Sequence, residues 1–372
     1  MQKVLLVFGT RPEGIKMCPL VKELEKRKET ETVVCVTGQH EEMLQQVLDI
    51  FGVEPDYNLH IMKQEQTLFD ITVNILNSIK AVLEKEKPDV VLVHGDTSTT
   101  FATALAAYYL EIPLGHVEAG LRTYNIYSPY PEEFNREAVS LIAKYNFAPT
   151  KLAAKHLADE GKSQDNIYIT GNTAIDALNT TVRDDFEHEY IDWAKGSRLV
   201  VLTAHRRENQ GEPMHHMFKA IRRVVDEHPD VKVLYPIHLN PVVRKVAEEH
   251  LKGSDRIRLV EPIDVFDFHN IIARSYMILT DSGGIQEEAP ALGKPVLVMR
   301  DTTERPEGGD AGTLKLVGTD EETIYNEFTK LLDDKTAYQA MSKAKNPYGD
   351  GKASKRIADI LINDDYDEFL ID

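Results

Sequence analysis

The stretch Tyr276-Met-Ile-Leu-Thr-Asp-Ser-Gly-Gly-Ile-Gln-Glu-Glu-Ala-Pro290 decides the fold class. An apolar run of strand character ends in Asp281-Ser-Gly-Gly284, and a helix-like segment begins at Ile285. A strand, a glycine turn and a helix start together point backbone N–H groups at an anion and add the positive end of the helix dipole. The alternative is a strand-to-helix turn that needs glycine for steric reasons alone.

The residues of this turn suit a nucleotide diphosphate. Ser282 offers a hydroxyl donor, and Gly283 and Gly284 let a phosphate approach the backbone because they carry no Cβ. Glu288 lies one turn into the helix, where its carboxylate can accept hydrogen bonds from a ribose diol. The turn therefore predicts a nucleotide-binding site.

Short apolar runs alternate with amphipathic stretches along the chain, which predicts α/β structure with parallel sheets. The predicted strands are Val4–Phe8, Thr32–Val36, Val90–Val93, Leu114–Val117, Asn146–Ala148, Leu199–Thr203, Lys232–Tyr235, Ile257–Leu259, Met277–Thr280 and Val296–Met299. The clearest predicted helices are Ile15–Lys28, Leu68–Lys85, Met214–Glu227 and Pro241–Leu251. Ten strands are more than one sheet of this kind usually contains. We therefore predict two doubly wound, Rossmann-like domains.

The periodicity is lost within Thr181-Val-Arg-Asp-Asp-Phe-Glu-His-Glu189, which favours a domain break nearby. We predict an N-terminal domain over 1–172 and a C-terminal domain over 173–352. A final helix over about 353–372 is expected to pack back on the first domain.

The bulk composition excludes several partners and compartments. The formal net charge is −18, so nucleic acid and anionic membrane are not expected as the main partners. Cys18 and Cys35 are too few for a disulfide framework. The N-terminus runs directly into a strand pattern, and no apolar run reaches membrane-spanning length. We therefore expect a cytoplasmic protein.

Polar residues follow the predicted strands of the first half, at the edge where open α/β sheets bind ligands. Arg11 and Lys16 follow the first strand, Asp96 follows the strand near residue 90, and Glu118 follows the next. The alternatives are a solvated basic loop, a helix-capping aspartate and a surface glutamate. Farther on, Glu132 and Arg136 stand four residues apart, so an intrahelical ion pair is the alternative to a catalytic role.

The second half carries the basic residues that an anionic substrate needs. The strand at 199–203 is followed by His205-Arg-Arg-Glu208, and Arg305 follows the strand at 296–299. For each arginine alone, the alternative is a surface salt bridge. No Cys/His cluster has metal-ligand spacing and the first loop lacks the dinucleotide glycine pattern, so we predict neither a metal nor NAD as cofactor.

Taken together, these motifs resemble the non-hydrolysing UDP-N-acetylglucosamine 2-epimerases of bacteria and archaea. The matching segments are Phe8-Gly-Thr-Arg-Pro-Glu13, His94-Gly-Asp-Thr97, His116-Val-Glu-Ala-Gly-Leu-Arg122, Pro131-Glu-Glu133 with Asn135-Arg136, His205-Arg-Arg-Glu208, Asp281–Pro290 and Arg300–Pro306. The resemblance implies a glycosyltransferase-B-like fold with an interdomain cleft, a homodimer, and interconversion of UDP-GlcNAc and UDP-ManNAc through a glycal intermediate. That activity would supply ManNAc for cell-surface polysaccharides.

The resemblance also assigns roles to matching positions. It implies catalytic roles for Asp96, Glu118, Glu132, Arg136 and His205. It implies substrate contacts for Arg11, Lys16, Phe268, Ser282, Gly283, Gly284, Glu288 and Arg305. Phe268 falls where the family places a ring near uracil, and the alternative is a core residue on an amphipathic helix.

Some family members bind a second UDP-GlcNAc as an allosteric activator. Gln39, Arg206 and His238 match positions of that site. Glu42 and Glu65 depart from it, because activated members carry an amide and an arginine there. Two added carboxylates disfavour a second diphosphate by like-charge repulsion, which argues against activation in this chain.

Three rival functions remain open at the level of the sequence. A glycosyltransferase of the same fold would share the nucleotide half but has no need of the clustered Asp96, Glu118 and Glu132. A hydrolysing epimerase would release free ManNAc and UDP. A non-catalytic nucleotide-sugar sensor would leave the set of carboxylates without a purpose.

Overall fold

The chain forms two compact units. The structure is a computed structural model that describes residues 1–39, 41–63, 65–303 and 305–363. The first unit contains Met1–Thr180 and the described residues from Tyr348 onward, and the second contains Thr181–Pro347. The sequence-based boundaries after residues 172 and 352 stay predictions, and residues 364–372 of the predicted last helix lie outside the described residues.

The described strands are short, and the central ones are mostly apolar, as parallel sheets covered on both faces require. In chain order they are β1 Gln2–Phe8, β2 Thr30–Val36, β3 Tyr57–Asn58, β4 Val90–His94, β5 Leu114–Val117, β6 Tyr145–Ala148, β7 Ile167–Ile169, β8 Arg198–Thr203, β9 Val231–Pro236, β10 Ile257–Val260, β11 Met277–Thr280, β12 Val296–Val298 and β13 Leu314–Leu316. Every predicted strand is confirmed, and β3, β7 and β13 are additional.

Helices connect the strands. In chain order they are α1 Arg11–Glu25, α2 Glu41–Phe51, α3 Leu68–Glu86, α4 Ser98–Tyr109, α5 Glu132–Ile142, α6 Lys151–Asp159, α7 Thr173–Thr181, α8 Glu189–Ala194, α9 Glu212–Glu227, α10 Pro241–Leu251, α11 Val265–Arg274, α12 Ile285–Ala291, α13 Pro306–Asp310, α14 Glu321–Asp333, α15 Lys335–Ser342 and α16 Ala353–Ile362. Short 3₁₀ turns lie at Gln164–Asn166 and Arg207–Asn209. No helix among these residues combines the length and apolar character needed to cross a membrane.

Each unit is built on one parallel sheet. Among the described residues, the first unit has the strand order β3-β2-β1-β4-β5-β6-β7, and the second has β10-β9-β8-β11-β12-β13. Both contain the doubly wound order of Rossmann-like folds, so the predicted fold class is confirmed. The order reverses between β1 and β4 in the first unit and between β8 and β11 in the second. Ligands bind such sheets beyond the carboxyl ends of the strands at these reversal points.

The central strands hold the cores of the two units. Leu5 and Val7 of β1 pack with Val91 and Val93 of β4, and all four side chains are fully buried. In the second unit, helix α9 covers one face of the sheet with buried residues that include Phe218. Because both faces of these strands are covered, their loops carry the polar chemistry of the protein.

The last helix belongs to the first unit. Helix α16 packs against α1, and Asp359 pairs with Arg27 at 2.8 Å. Its first turn is held by the carboxylate of Asp176, which accepts hydrogen bonds from the backbone N–H groups of Ala353 (3.1 Å) and Ser354 (2.7 Å). These contacts fix the returning chain on the first unit.

Candidate active site

A capping box shapes the loop between β1 and α1. The side chain of Thr10 accepts a hydrogen bond from the backbone N–H of Glu13, and the Glu13 carboxylate accepts from Gly9 N (2.9 Å) and Thr10 N (2.8 Å). This arrangement satisfies N–H groups that have no partner inside a helix, and it starts α1 at Arg11 rather than at the predicted Ile15. A Cβ on Gly9 would come within 1.9 Å of Thr37 Oγ1, so glycine is required there.

Glu13 also joins this loop to the loop that follows β4. Its other carboxylate oxygen accepts hydrogen bonds from Thr97 Oγ1 (2.6 Å) and Thr100 Oγ1 (3.1 Å). The residue is buried. One carboxylate therefore accepts four hydrogen bonds from two strand-end loops and holds both beside Asp96.

A cavity of about 410 Å³ opens at the carboxyl ends of β1, β4 and β5. Its size falls in the range of small-molecule sites. It is lined by Thr10, Pro12, Glu13, Lys16, Gln39, Leu68, His94, Gly95, Asp96, Thr97, Ser98, Glu118, Pro131, Glu132 and Asn135. The structure thus brings together the three predicted catalytic carboxylates, with Lys16 and Gln39, inside the first unit.

Asp96 lies in an environment that favours its protonated form. Burial is the largest cause and raises the pKa of Asp96 from its ordinary value of 3.8 to about 6. The Arg136 guanidinium, 2.8 Å from Asp96 Oδ2, opposes that shift, while the charge of Glu118 adds to it. A carboxyl group with such a pKa can both hold and release a proton near neutral pH.

Glu118 is held from several sides. It lies in the left-handed region with φ of 64°, a conformation that costs a non-glycine residue about 1–3 kcal/mol. Its carboxylate pairs with Lys16 and accepts a hydrogen bond from Asn172 Nδ2 at 2.9 Å. The Nε2 atom of His94 lies 3.7 Å from the same oxygen. These contacts aim the carboxylate at the cavity.

Two buried histidines behind these carboxylates are neutral. Burial lowers the pKa of His94 to about 4 and the pKa of His116 to about 3. His116 Nε2 lies 2.7 Å from the carbonyl oxygen of Gly95. A carbonyl oxygen only accepts hydrogen bonds, so Nε2 carries the ring proton and is the donor. The contact holds the backbone just before Asp96.

Arg136 pairs with Asp96 and Glu133 rather than with Glu132. Its NH1 atom lies 3.2 Å from Glu133 Oε2, three residues back along α5. Glu133 is fully buried and also accepts hydrogen bonds from the backbone N–H groups of Thr123 and Tyr124, at 2.7 and 2.8 Å. The i, i+4 ion pair considered from the sequence is therefore replaced by an i, i+3 pair, and Glu132 lines the cavity instead.

In the second unit, Asp281 organises the loop that follows β8. Its Oδ2 atom accepts hydrogen bonds from the backbone N–H groups of His205 and Arg206, both at 2.9 Å, and from Asn209 Nδ2 at 3.1 Å. The ring of His205 stacks on that of His238, with centroids 5.4 Å apart. Burial lowers the pKa of His205, which favours the neutral imidazole. The structure thus places His205, Arg206 and His238 together.

The glycine turn after β11 has the predicted strand-turn-helix form. The backbone N–H of Ser282 donates to Thr280 Oγ1 at 2.9 Å, so that donor is already engaged. Gly284 has a φ of −61°, and among the described residues a Cβ added there would meet only Glu288 Oε1, at 3.8 Å. Neither the backbone conformation nor crowding by the described residues requires glycine at 284.

The other predicted contacts of the second unit have partners of their own. Glu288 Oε2 lies 3.6 Å from Nε2 of the buried His269. Arg305 pairs with the buried Glu287. Phe268 is half-buried on α11 and packs against the sheet core. The alternative considered from the sequence, a core residue on an amphipathic helix, therefore describes at least part of its surface. In the first unit, Arg11 opens α1 and is not among the described lining residues of the cavity.

The positions considered for allosteric activation are separated in sequence and lie in both units. Gln39 lines the first-unit cavity and accepts a hydrogen bond from Thr99 Oγ1 at 3.3 Å. Glu42 and Glu65 are both exposed. Their charges therefore remain in contact with solvent.

A family model described as UDP-N-acetylglucosamine 2-epimerase matches residues 22–362. The chain belongs to the UDP-N-acetylglucosamine 2-epimerase family. A UDP-N-acetylglucosamine 2-epimerase of Bacillus subtilis (strain 168) is 60% identical over 360 residues, which cover 97% of this chain and 95% of that protein.

Solved structures of UDP-N-acetylglucosamine 2-epimerases share the fold. One has a TM-score of 0.91 at 58% identity, covering 97% of this chain and 96% of its own. The enzyme of Neisseria meningitidis, solved bound to UDP-GlcNAc, has a TM-score of 0.87 at 48% identity, covering 97% of this chain and 100% of its own. The similarity therefore extends over both units.

Three residues of this epimerase-family chain were given no role by the sequence reasoning. Glu13 was detectable, because Thr10-Arg-Pro-Glu13 has the spacing of a capping box. Asp281 lay within the quoted glycine-turn motif, although its partners in the loop after β8 are far away in sequence. Asn172 carries no local pattern, and only the folded chain brings it to Glu118.

Proposed function

We propose that this chain interconverts UDP-GlcNAc and UDP-ManNAc by eliminating UDP and adding it back, without hydrolysis. The observation that carries the proposal is the set of Asp96, Glu118 and Glu132 around one cavity, with the pKa of Asp96 raised to about 6. Support also comes from the family to which the chain belongs and from the relative that binds UDP-GlcNAc.

The chemistry explains why several carboxylates are needed. The C2 hydrogen of the sugar is not acidic in the ground state, because no carbonyl adjoins it. When the C1–O bond to UDP breaks, C1 becomes cation-like and a base can remove the C2 proton. The electron pair of the C2–H bond then forms the C1–C2 double bond of 2-acetamidoglucal, and UDP leaves with the electrons of the C1–O bond.

The return step inverts C2. A proton reaches C2 from the opposite face, and UDP adds to C1. Two faces require two proton-handling groups, which Asp96, Glu118 and Glu132 can supply. A positioned general acid or base contributes roughly 10²–10⁴-fold to the rate. Lys16 pairs with Glu118 and Arg136 pairs with Asp96, and these cations offset the repulsion among the carboxylates while one carboxyl group holds the proton.

The leaving diphosphate needs fixed positive potential. We assign this role to the glycine turn at Ser282–Gly284, with Arg11, His205 and Arg305 as further contacts. Gly284 supports the assignment because neither its backbone conformation nor the described residues around it require glycine there, which leaves room for a phosphate. Glu288 is assigned to the ribose diol and Phe268 to the base.

Product analysis without any acceptor tests the proposal. Purified protein is incubated with UDP-GlcNAc, and the mixture is resolved by anion-exchange chromatography and ³¹P NMR. We expect UDP-ManNAc with its diphosphate intact. Free ManNAc accumulating in step with UDP would instead identify a hydrolysing epimerase. Unchanged UDP-GlcNAc would contradict epimerisation and favour a glycosyltransferase or a sensor.

The proposal includes a homodimer. Large hydrophobic side chains are exposed on three adjacent helices of the first unit: Phe69 (84%) on α3, Tyr109 (69%) on α4 and Leu141 (72%) on α5. Covering such a surface removes apolar area from water. Analytical ultracentrifugation should show a dimer that Leu141→Glu dissociates. The control Val242→Glu, at an exposed site on α10, should remain dimeric; a monomeric parent protein would contradict the proposal.

The proposal also places the reaction in the cytoplasm, where its product would supply ManNAc for cell-surface polysaccharides. The support for this part is the family resemblance of the motifs. An enzyme that takes UDP-ManNAc as its substrate must then consume the product. Deletion of the gene should remove ManNAc from surface polymers, and unchanged ManNAc content would contradict the assignment.

A further inference from the structure

Three metal-binding side chains converge on helices α9 and α10 of the second unit. His215 lies in the first turns of α9, and Glu249 and His250 lie at the end of α10. His215 Nδ1 lies 2.7 Å from His250 Nε2, and one carboxylate oxygen of Glu249 lies 3.9 Å and 3.7 Å from these two atoms. Two imidazoles and a carboxylate form a common zinc ligand set.

The spacing of the three atoms fits one metal ion. A circle drawn through atoms separated by 2.7, 3.7 and 3.9 Å has a radius of about 2.0 Å, close to the roughly 2.0–2.2 Å bonds from zinc to nitrogen and oxygen. The centre of the circle lies inside the triangle. Tetrahedral binding with a water as fourth ligand places the ion just off this plane and needs the two imidazole nitrogens to separate from 2.7 Å to about 3.3 Å by small side-chain shifts.

The local surface allows the ion to enter and the ligands to adjust. The side chain of Glu249 is 54% exposed and that of His215 is 27% exposed, so both can shift by a few tenths of an ångström. A depression of about 310 Å³ opens beside His250. Three described cations line it, Lys219, Arg222 and Arg223, and the two arginines are each paired with an acid four residues along α9.

We propose that His215, Glu249 and His250 bind a Zn²⁺ ion that joins α9 to α10. Before binding, one imidazole donates an N–H to the other across their 2.7 Å contact. When the ion binds, the donor ring gives up that proton to solvent and takes one on its other nitrogen, so both facing nitrogens offer lone pairs. Water occupies the fourth position. The site is distinct from the carboxylates assigned to epimerisation and stabilises the second unit.

Calorimetric titration of the chelator-treated, full-length protein with ZnCl₂ tests the site. We expect one ion per chain. His215→Gln and His250→Gln keep a polar side chain of similar reach, and each should lower zinc affinity by more than the roughly 10–100-fold typical of losing an outer-shell partner. Glu249→Gln should weaken binding as well. Zinc should also raise the thermal midpoint of the parent protein but not of His250→Gln.

The matched control is His216→Gln. His216 is the next residue of α9, is 44% exposed and lies 3.7 Å from Glu212 rather than beside His250. This variant should bind zinc as the parent does. The proposal is overturned if the parent shows no saturable binding, if His215→Gln and His250→Gln bind undiminished, or if His216→Gln loses binding equally. Circular dichroism of each variant establishes that it is folded.

Discussion

At the residue scale, position at the end of a strand was enough to predict the catalytic candidates. Their pKa values and backbone conformations could be seen only in the folded chain. Asp96 and Glu118 were found because each follows an apolar strand. Burial raises the pKa of Asp96, and Arg136, which lies 40 residues farther along, opposes that rise. The left-handed backbone of Glu118 and its hydrogen bond to Asn172 likewise have no local pattern in the sequence.

The titration of Asp96 gives the first prediction. Its pKa of about 6 should appear as an inflection near pH 6 in the pH dependence of kcat/KM. Arg136 stabilises the charged carboxylate, so Arg136→Gln should move the inflection to higher pH. Initial rates of UDP-ManNAc formation between pH 4.5 and 9 measure both.

Arg136→Lys is the matched control for that shift. It keeps a cation beside Asp96, so its inflection should stay closer to that of the parent protein. An inflection that Arg136→Gln leaves unmoved, or moves to lower pH, would show that another group titrates.

At the element scale, long apolar strands were predictable and very short ones were not. The strands β1, β4 and β8 each contain a continuous run of four or five buried apolar residues. By contrast, β3, β7 and β13 contain two or three residues, too few to show any period. The equally short β12 was predicted because it lies within the longer apolar run Val296–Met299. Helix α1 begins at Arg11, before the apolar periodicity that suggested a start at Ile15, because the capping box at Thr10 stabilises its first turn.

That capping box gives a prediction about stability. Glu13→Gln keeps the size of the side chain but removes the charge that accepts hydrogen bonds from two loops. Because a hydrogen bond to a charged group contributes roughly 1.5–3 kcal/mol, we expect the free energy of unfolding of the first unit to fall by that order. Urea unfolding followed by circular dichroism measures it.

Glu25→Gln is the control on the same helix. Its carboxylate is 40% exposed and pairs with Lys22, so the loss should be below about 1 kcal/mol. If Glu13→Gln cost no more than Glu25→Gln, Glu13 would not hold the two loops.

At the scale of the whole molecule, the alternation of strands and helices was enough to predict two Rossmann-like units. The strand count exceeded one sheet, and the structure has two sheets with corresponding strand orders. The boundaries between the two units were harder to predict from the sequence. A domain boundary is marked by few contacts across it, which is a property of the folded chain, whereas the sequence offers only a loss of periodicity near Thr181.

The two cysteines report on the integrity of the first unit. Cys18 and Cys35 are fully buried, and burial raises the pKa of each thiol to about 12. Since the thiolate is the reactive form, neither should react with Ellman's reagent at pH 8 in the native protein. Both should react in urea. The exposed variant Ser163→Cys should add one fast thiol, and rapid labelling of the native parent would contradict this burial.

Epimerisation in D₂O, followed by ¹H NMR, tests the central claim most directly. If UDP leaves and the C2 proton is removed, deuterium should enter C2 of both UDP-GlcNAc and UDP-ManNAc as they interconvert. Asp96→Asn, Glu118→Gln and Glu132→Gln should each slow that exchange by roughly 10²–10⁴-fold while UDP still binds. Interconversion of the two sugars with hydrogen retained at C2 would contradict the elimination mechanism.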